Sequence, residues 1–216
     1  MIMLTQISLT CPVCDNEFTS TAVRDRNGET KTRTDFQEYV AGSTVLPYTI
    51  HQCPRCGFAA MPEGFDAAAA DTMIQLHVWN ELMPSVNDVK PAASDKYEAA
   101  AKVALWRGEA PRRVADLWLC AAWCCLEEGD TEAERYYRRH AAWCYEDALS
   151  TFDGVSRDER AVIAYVIGEL WRRIGDERTA GAWFDRVPRE IVKAKDQRWI
   201  MEAASRQRIA PAEWFG

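Results

Sequence analysis

Two closely similar cysteine turns near the N-terminus constrain this chain more than any other feature. Cys11-Pro-Val-Cys14 and Cys53-Pro-Arg-Cys56-Gly57 each place two residues between their cysteines. Because this spacing lets a tight turn point both sulfurs at one ion, two such turns complete the four-coordinate shell that zinc prefers. A shell of four thiolates leaves no open position for water or substrate. The sequence therefore predicts one structural zinc ion, held by Cys11, Cys14, Cys53 and Cys56.

The segment that carries these turns, residues 1–62, holds few large apolar side chains. A segment of this size buries too little apolar surface to fold alone. Zinc binding in such modules contributes about 10–16 kcal/mol, which is enough to order them. Strands at Thr5–Leu9 and Val45–Ile50 are expected to lead into the two cysteine turns. We therefore predict a zinc-ribbon-like module over residues 1–62.

A polar hairpin is predicted between the two cysteine turns. Asn27-Gly28 lies between Thr21–Arg26 and Glu29–Asp35, and both arms are mostly polar. Asn-Gly is the strongest short hairpin signal because both residues accept a positive φ. The pattern predicts a hairpin that projects from the zinc module.

From residue 66 onward, apolar residues recur at helical spacing between Gly-Asp and proline breaks. The predicted helices cover Asp66–Met83, Lys96–Arg107, Arg112–Glu128, Thr131–Ser150, Ala161–Ile174, a short stretch that ends at Pro188, and Val192–Arg206. Capping residues are predicted at Asp66, Asp95 with Glu98, and Thr131 with Glu134. The helix Arg112–Glu128 is apolar nearly all round, which indicates a central position in a helical stack. The prediction is a mainly α protein, with a small β module followed by a helical domain over residues 66–216.

An internal repeat indicates what kind of helical domain this is. Ala161–Val187 follows the tetratricopeptide pattern, and Leu117–Ala141 follows it loosely. Gly168 would let two helices approach closely, and Gly175-Asp176 would form the turn between them. Ala180, Phe184 and Val187 would fill the second helix. We therefore predict a short tetratricopeptide-like solenoid, whose extended surface suits a protein or peptide partner.

Five further residues have chemistry that suits a metal site. His51 lies two residues before Cys53 and could replace a cysteine ligand, but a strand histidine that points off the site is favoured. The other four are Cys120, Cys124, Cys125 and Cys144. They could form a second metal site, although small buried apolar residues in a helix interface are the favoured interpretation.

Charge and motif content narrow the functional classes. The net charge of −7 argues against generic nucleic-acid binding, where a basic patch normally supplies the affinity. The predicted hairpin nevertheless carries Arg24, Arg26, Lys31 and Arg33, so a nucleic-acid-associated zinc ribbon is the alternative. No triad, phosphate loop or paired-carboxylate motif is present, and the chain is expected not to be an enzyme. A thiol-redox or zinc-dependent enzyme is the weaker alternative.

The predicted location is the cytoplasm. The N-terminus has no basic stretch before its apolar residues and makes a poor signal peptide. The longest uncharged apolar run, Leu117–Leu126, is too short to span a bilayer. Eight cysteines without an export signal favour metal thiolates in a reducing compartment over disulfides.

The whole layout resembles a bacterial family known as domain-of-unknown-function family 2225. The resemblance lies in Cys11-Pro-Val-Cys14, Leu46-Pro-Tyr48, Cys53–Ala60, Tyr97–Lys102, Ala121–Cys124 and Ile167–Gly175. It implies a metal site at the four cysteines and tetratricopeptide-like helices. It implies no particular activity, and neither partner nor oligomeric state follows from it.

Overall fold

The computed structural model describes residues 1–66, 69–86, 91–151, 154–192 and 196–215. Within these residues the N-terminal strands are β1 (Ile2–Thr10), β2 (Glu17–Arg26), β3 (Thr30–Thr32), β4 (Glu38–Val40), β5 (His51–Gln52) and β6 (Ala59–Ala60). The helices that follow are α1 (Thr72–His77), α2 (Ala93–Trp106), α3 (Pro111–Glu128), α4 (Thr131–Ser150), α5 (Arg160–Ile174), α6 (Glu177–Arg186) and α7 (Arg198–Ile209). This order confirms the predicted mainly α fold with a small β region in front.

The strands form three antiparallel pairs, β1 with β2, β3 with β4, and β5 with β6. Thr10 pairs with Glu17 at the closed end of the first hairpin, so the turn of Cys11 and Cys14 joins its two strands. Gln52 pairs with Ala59, and the second cysteine turn lies between them. Each cysteine turn is therefore the tip of a hairpin, and the strand predicted at Thr5–Leu9 is confirmed within β1.

The prediction of a hairpin turn at Asn27-Gly28 was wrong. Because β2 pairs with β1 and β3 pairs with β4, this dipeptide links two hairpins. Gly28 does adopt a positive φ of 142°. However, the hairpin that contains the first cysteine turn pairs β2 with β1 and not with β3. The segment also does not project, because Thr34, Asp35 and Gln37 between β3 and β4 are buried.

The strand predicted at Val45–Ile50 was also wrong. Leu46–Tyr48 forms a single 3₁₀ turn, and the strand β5 begins only at His51. Pro47 lies in the first positions of that turn, where its fixed φ and missing N–H are tolerated.

The first two helices begin at positions other than those predicted. The N-cap of α1 is Asp71, whose carboxylate accepts the Met73 N–H at 2.7 Å, rather than Asp66. The start predicted for this helix includes residues 67–68, which lie outside the described residues. In α2, the Asp95 carboxylate accepts the Ala92 N–H at 3.1 Å, so Asp95 lies inside the first turn.

The two Gly-Asp dipeptides end one helix and start the next. Gly129 and Gly175 have φ values of 78° and 95° and close α3 and α5 in the left-handed conformation. Asp130 and Asp176 then accept backbone N–H groups of α4 and α6. Asp130, rather than the predicted Thr131, is thus the N-cap of α4.

The helices from α2 to α6 pack in consecutive pairs, and α3 lies between α2 and α4 as predicted. Gly168 allows the closest approach, since a Cβ there would lie 2.7 Å from the Phe184 ring. Ala180, Phe184 and Val187 are buried, as the pattern required. The helix predicted from Val192 begins at Arg198, and residues 193–195 lie outside the described residues. The tetratricopeptide-like geometry itself stays a prediction.

One hydrophobic cluster runs from the first hairpin to α7. It includes Leu9, Cys53 and Phe58 at the front and Ile200 at the back. The Lys96 ammonium of α2 donates to the Pro47 carbonyl at 2.5 Å, which ties the helices to the cysteine region. The boundary predicted between residues 62 and 66 stays a prediction. None of the described helices has the length and apolar character needed to cross a bilayer.

Candidate metal centre

The two cysteine turns bring four sulfurs together. All four Sγ atoms of Cys11, Cys14, Cys53 and Cys56 lie within 4.8 Å of one another. The Cys11–Cys56 pair is 3.6 Å apart and the Cys14–Cys53 pair 3.7 Å apart. Four sulfurs arranged tetrahedrally around zinc, at about 2.3 Å each, are separated by about 3.8 Å. The two measured distances match such a shell, and we call these four residues the ligand cysteines.

The two turns use the same backbone geometry. The Asp15 N–H donates to the Cys11 carbonyl, and the Gly57 N–H donates to the Cys53 carbonyl, both at 3.0 Å. Asp15 and Gly57 follow the second cysteine of each turn and have φ values of 53° and 80°. This left-handed residue reverses the chain so that both sulfurs of a turn face the same point.

We expect Gly57→Ala to destabilise the site. A Cβ at Gly57 would lie 3.1 Å from the Leu82 Cβ and 3.2 Å from the Leu82 carbonyl oxygen. Together with the left-handed φ, this predicts a loss of about 1–2 kcal/mol in the free energy of unfolding, measured with urea.

The matched control for Gly57→Ala is Asp15→Gly, at the corresponding position of the first turn. It removes the strain of a non-glycine residue and should change the unfolding free energy by less than about 1 kcal/mol. Equal losses for the two variants would contradict this account of the turns.

Burial and close contact couple the ionisation of the four ligand cysteines. Cys11 and Cys53 are 0 % exposed and Cys56 is 1 % exposed. Hydrogen bonding with Cys53 raises the pKa of Cys11 to about 12, and hydrogen bonding with Cys11 raises the pKa of Cys56. The same contacts lower the pKa of Cys53 to about 2. Four thiolates this close repel one another, so a divalent ion is required to ionise all of them.

The alternative ligand His51 lies outside this group. It is buried on β5, and its Nδ1 shares a hydrogen bond of 2.7 Å with the Ser20 hydroxyl. Among the described residues, the four cysteines are the only group of three or more His, Cys, Asp or Glu ligand atoms close enough to hold an ion together. His51 is thus a strand histidine that points off the site, as favoured from the sequence.

The four remaining cysteines lie in the helices as free thiols. Cys124 and Cys125 are buried, whereas Cys120 and Cys144 are half-buried. Burial raises the pKa of Cys120 to about 12 and of Cys125 to about 11, and it also raises the pKa of Cys124 and Cys144. Raised pKa values keep these thiols protonated and unreactive at neutral pH.

A buried ionic cluster was missed from the sequence. Asp35, in the loop between β3 and β4, is 0 % exposed, as is Arg138 of α4. The Arg138 guanidinium donates to the Asp35 carboxylate at 2.8 Å, and Trp123 Nε1 donates to the same oxygen at 3.0 Å. Arg173 of α5 lies 3.4 Å from it. This Asp35 cluster fixes the front loop against three helices.

No sequence signal marked the Asp35 cluster. Asp35 stands in a polar loop, and Arg138 and Arg173 occupy ordinary helix positions that predict solvent exposure. The polar arm Glu29–Asp35 was predicted to project from the zinc module. The alternative of a nucleic-acid-associated ribbon depends on four basic residues of the predicted hairpin, and two of them have acidic partners. Arg26 lies 3.6 Å from Glu38, and Arg33 lies 2.6 Å from Glu213.

Comparisons with known proteins place the chain in a family without assigning it an activity. A search of curated proteins and a search of solved structures each gave no match. One family model, described as "Uncharacterized protein conserved in bacteria (DUF2225)", matches residues 4–209, which include all four ligand cysteines and the helices α1 to α7. The chain therefore belongs to this family.

Proposed function

We propose that this protein is a cytoplasmic zinc-binding adaptor. One structural zinc ion orders its N-terminal region, and its helices present a surface to a protein or peptide partner. The observation that carries the proposal is the closed set of four sulfurs at tetrahedral spacing. Zinc, rather than another metal, is favoured by four thiolates in two Cys-Pro-x-Cys turns.

A structural role for the ion is supported by the ligand set. Catalytic zinc sites keep three protein ligands and an open position, whereas this set has four. Three of the four sulfurs belong to residues that are at most 1 % exposed. A substrate would have to displace a buried thiolate to reach the metal.

An adaptor role is supported by an exposed apolar stripe. Four exposed apolar residues follow one another every three or four positions along α1, the π-helical turn Val78–Leu82 and the 3₁₀ turn Met83–Ser85: Met73, Leu76, Trp79 and Met83. Their exposed fractions are 59 %, 42 %, 43 % and 47 %. Exposed apolar side chains grouped in this way are typical of a surface that binds a partner. We call these four residues the α1 stripe.

The alternatives receive less support. A thiol-redox enzyme needs a cysteine of lowered pKa, and the pKa of each helical cysteine is raised. A nucleic-acid-binding ribbon needs free basic residues, and Arg26 and Arg33 are engaged by Glu38 and Glu213.

The test of the proposed function has two arms. Metal analysis of the purified protein should give one zinc per chain; no metal, or a redox metal, would contradict the structural-zinc assignment. Affinity capture should then recover a partner at stoichiometric yield with the wild type and lose it with Leu76→Ser/Trp79→Ser, whose exposed positions spare the core. Failure to capture any partner across growth states would count against the adaptor role.

A further inference from the structure

Residues 212–215, which we call the tail, pair with residues 32–34 at the end of β3 through one antiparallel bridge. The Thr34 N–H donates to the Glu213 carbonyl at 3.0 Å, and the Phe215 N–H donates to the Thr32 carbonyl at 3.2 Å. Arg33 and Trp214 form the antiparallel bridge between these two bonds. Addition of an extended peptide to an exposed strand edge is a common mode of peptide recognition. The tail is thus bound as such a peptide would be.

The tail carries one carboxylate into a group of three arginines. Glu213 lies 2.6 Å from Arg33, 3.2 Å from Arg172 and 2.6 Å from Arg173. Charge-assisted contacts between guanidinium and carboxylate are among the strongest hydrogen bonds in proteins. This corner therefore selects an acidic side chain.

The arginines are held in place without the tail. Arg172 and Arg173 donate to the Glu169 carboxylate, which is 0 % exposed, at 2.8 Å and 3.0 Å through their Nε atoms. In the connected cluster, four arginines face three carboxylates before the tail is counted: Arg33, Arg138, Arg172 and Arg173 against Asp35, Glu134 and Glu169. Glu213 is the fourth carboxylate. An empty corner would keep one positive charge in excess in a partly buried site, which favours binding of an acidic group.

The two aromatic residues of the tail pack against aromatic and cationic side chains of the N-terminal region. Trp214 lies 5.4 Å from the Arg33 guanidinium and 5.4 Å from the Tyr39 ring. Phe215 lies 5.4 Å from Phe36, which is held at a φ of 69°. A bulky residue seldom adopts a positive φ, and such strain concentrates at binding sites.

The tail neither fills this site nor is deeply buried in it. A cavity of about 150 Å³ remains beside Phe215, with Trp199 and Tyr165 in its wall. Glu213 is 51 % exposed at its side chain, and Trp214 is 43 % exposed. Segments held by a few exposed contacts open locally at much lower free energy than the whole protein.

We propose that this tail seat, formed by Thr32–Thr34, Phe36, Tyr165, Arg172 and Arg173, is a peptide-binding site that the chain occupies with its own tail. Its partner is an extended segment of another protein that carries a carboxylate followed by two aromatic residues. The proposal rests on the adaptor function in that it names one class of partner, but it uses a surface separate from the α1 stripe.

The test uses the full chain with a weakened tail, Trp214→Ala/Phe215→Ala. The probe is a fluorescein-labelled synthetic peptide with the sequence of residues 210–215, followed by fluorescence anisotropy. Because the wild-type tail occupies the seat, the peptide should bind the variant about tenfold or more tighter than the wild type. Adding Arg172→Ala to the variant, or replacing glutamate by lysine in the peptide, should weaken binding at least about tenfold. Binding should also weaken as salt rises.

The proposal would be overturned if the weakened-tail variant bound the glutamate peptide and the lysine peptide with equal affinity. It would also be overturned if the variant did not bind the glutamate peptide. Should that variant melt well below the wild type, hydrogen exchange on the wild type decides instead. Saturating peptide should then expose the chain's own Phe215 amide, and unchanged protection would overturn the proposal. Concentration-dependent dimers formed by exchanged tails, detected by light scattering, would assign the seat to a second copy and overturn it as well. Failure in any of these arms leaves zinc content and capture through the α1 stripe unaffected, so it is distinguishable from failure of the adaptor function.

Discussion

Replacement of Cys53 by serine is expected to abolish metal binding and to unfold the N-terminal region. Cys53 is 0 % exposed, and its sulfur lies 3.7 Å from that of Cys14. A serine hydroxyl is a poor zinc ligand at neutral pH, and zinc binding in such modules contributes about 10–16 kcal/mol. Metal content should fall from one ion per chain to none, as measured by atomic emission, and far-UV circular dichroism should show loss of strand signal.

The structure extends this expectation to the helices. An N-terminal module that folded independently of the helices would leave the helical half intact in Cys53→Ser. Asp35, however, is part of the N-terminal region and neutralises Arg138 of α4. We therefore expect the helices to lose stability as well, so that the helical circular-dichroism signal of Cys53→Ser should melt at a lower temperature than that of the wild type. Cys144→Ser, outside the metal group, is the control and should keep its zinc. Equal metal content in the two variants would refute the assignment.

Replacement of Asp35 by alanine is expected to cost about 3–5 kcal/mol of unfolding free energy. Within the part of the chain that the structure describes, the change leaves the buried Arg138 with Glu134 as its one carboxylate partner. It also removes the carboxylate that lies 3.4 Å from Arg173. Urea denaturation measures the loss. The control is Glu202→Ala, which breaks the exposed Arg198–Glu202 pair and should cost less than about 1 kcal/mol. Similar costs for the two variants would show that the Asp35 cluster adds nothing beyond a surface pair.

The Asp35 cluster also predicts a pH dependence. Burial by itself raises the pKa of Asp35, but the charges of Arg138 and Arg173 outweigh it and lower the pKa from 3.8 to about 2. A carboxylate with a lowered folded-state pKa stabilises the fold fully above its unfolded pKa, and this contribution is lost as the pH falls. We expect the wild type to lose this stability between about pH 4 and pH 2. Asp35→Ala should show a shallower fall over the same range, and identical acid profiles would contradict the assigned pKa.

Local sequence was enough to predict the cysteine site and most helix ends. Two Cys-x-x-Cys spacings fix the geometry of their own turns, because a turn of four residues determines where its two sulfurs lie. Gly129 and Gly175 end helices for a local reason too, since glycine accepts the left-handed φ without steric cost. Gly168 predicted a close approach of two helices, since a side chain at this position would clash with the Phe184 ring.

Strand partners and buried charges could not be predicted in the same way. Asn27-Gly28 has the composition of a hairpin turn, but strand pairing depends on the whole fold, and the cysteine turn places β1 beside β2. Asp35, Arg138 and Arg173 carry the side chains of a solvent-facing surface. Their burial follows from contacts between residues about a hundred positions apart, for which a single sequence gives no signal.

What the sequence by itself determined is therefore the chemistry of the front segment: four cysteine sulfurs in two turns, each with its own local geometry. Tertiary structure alone decided that the loop at Asp35 contacts the helices and that the tail at Glu213 pairs with residues 32–34. The physical reason is that turns and caps depend on neighbours within a few residues. Burying a charge depends on a counter-charge that only the complete fold brings within reach.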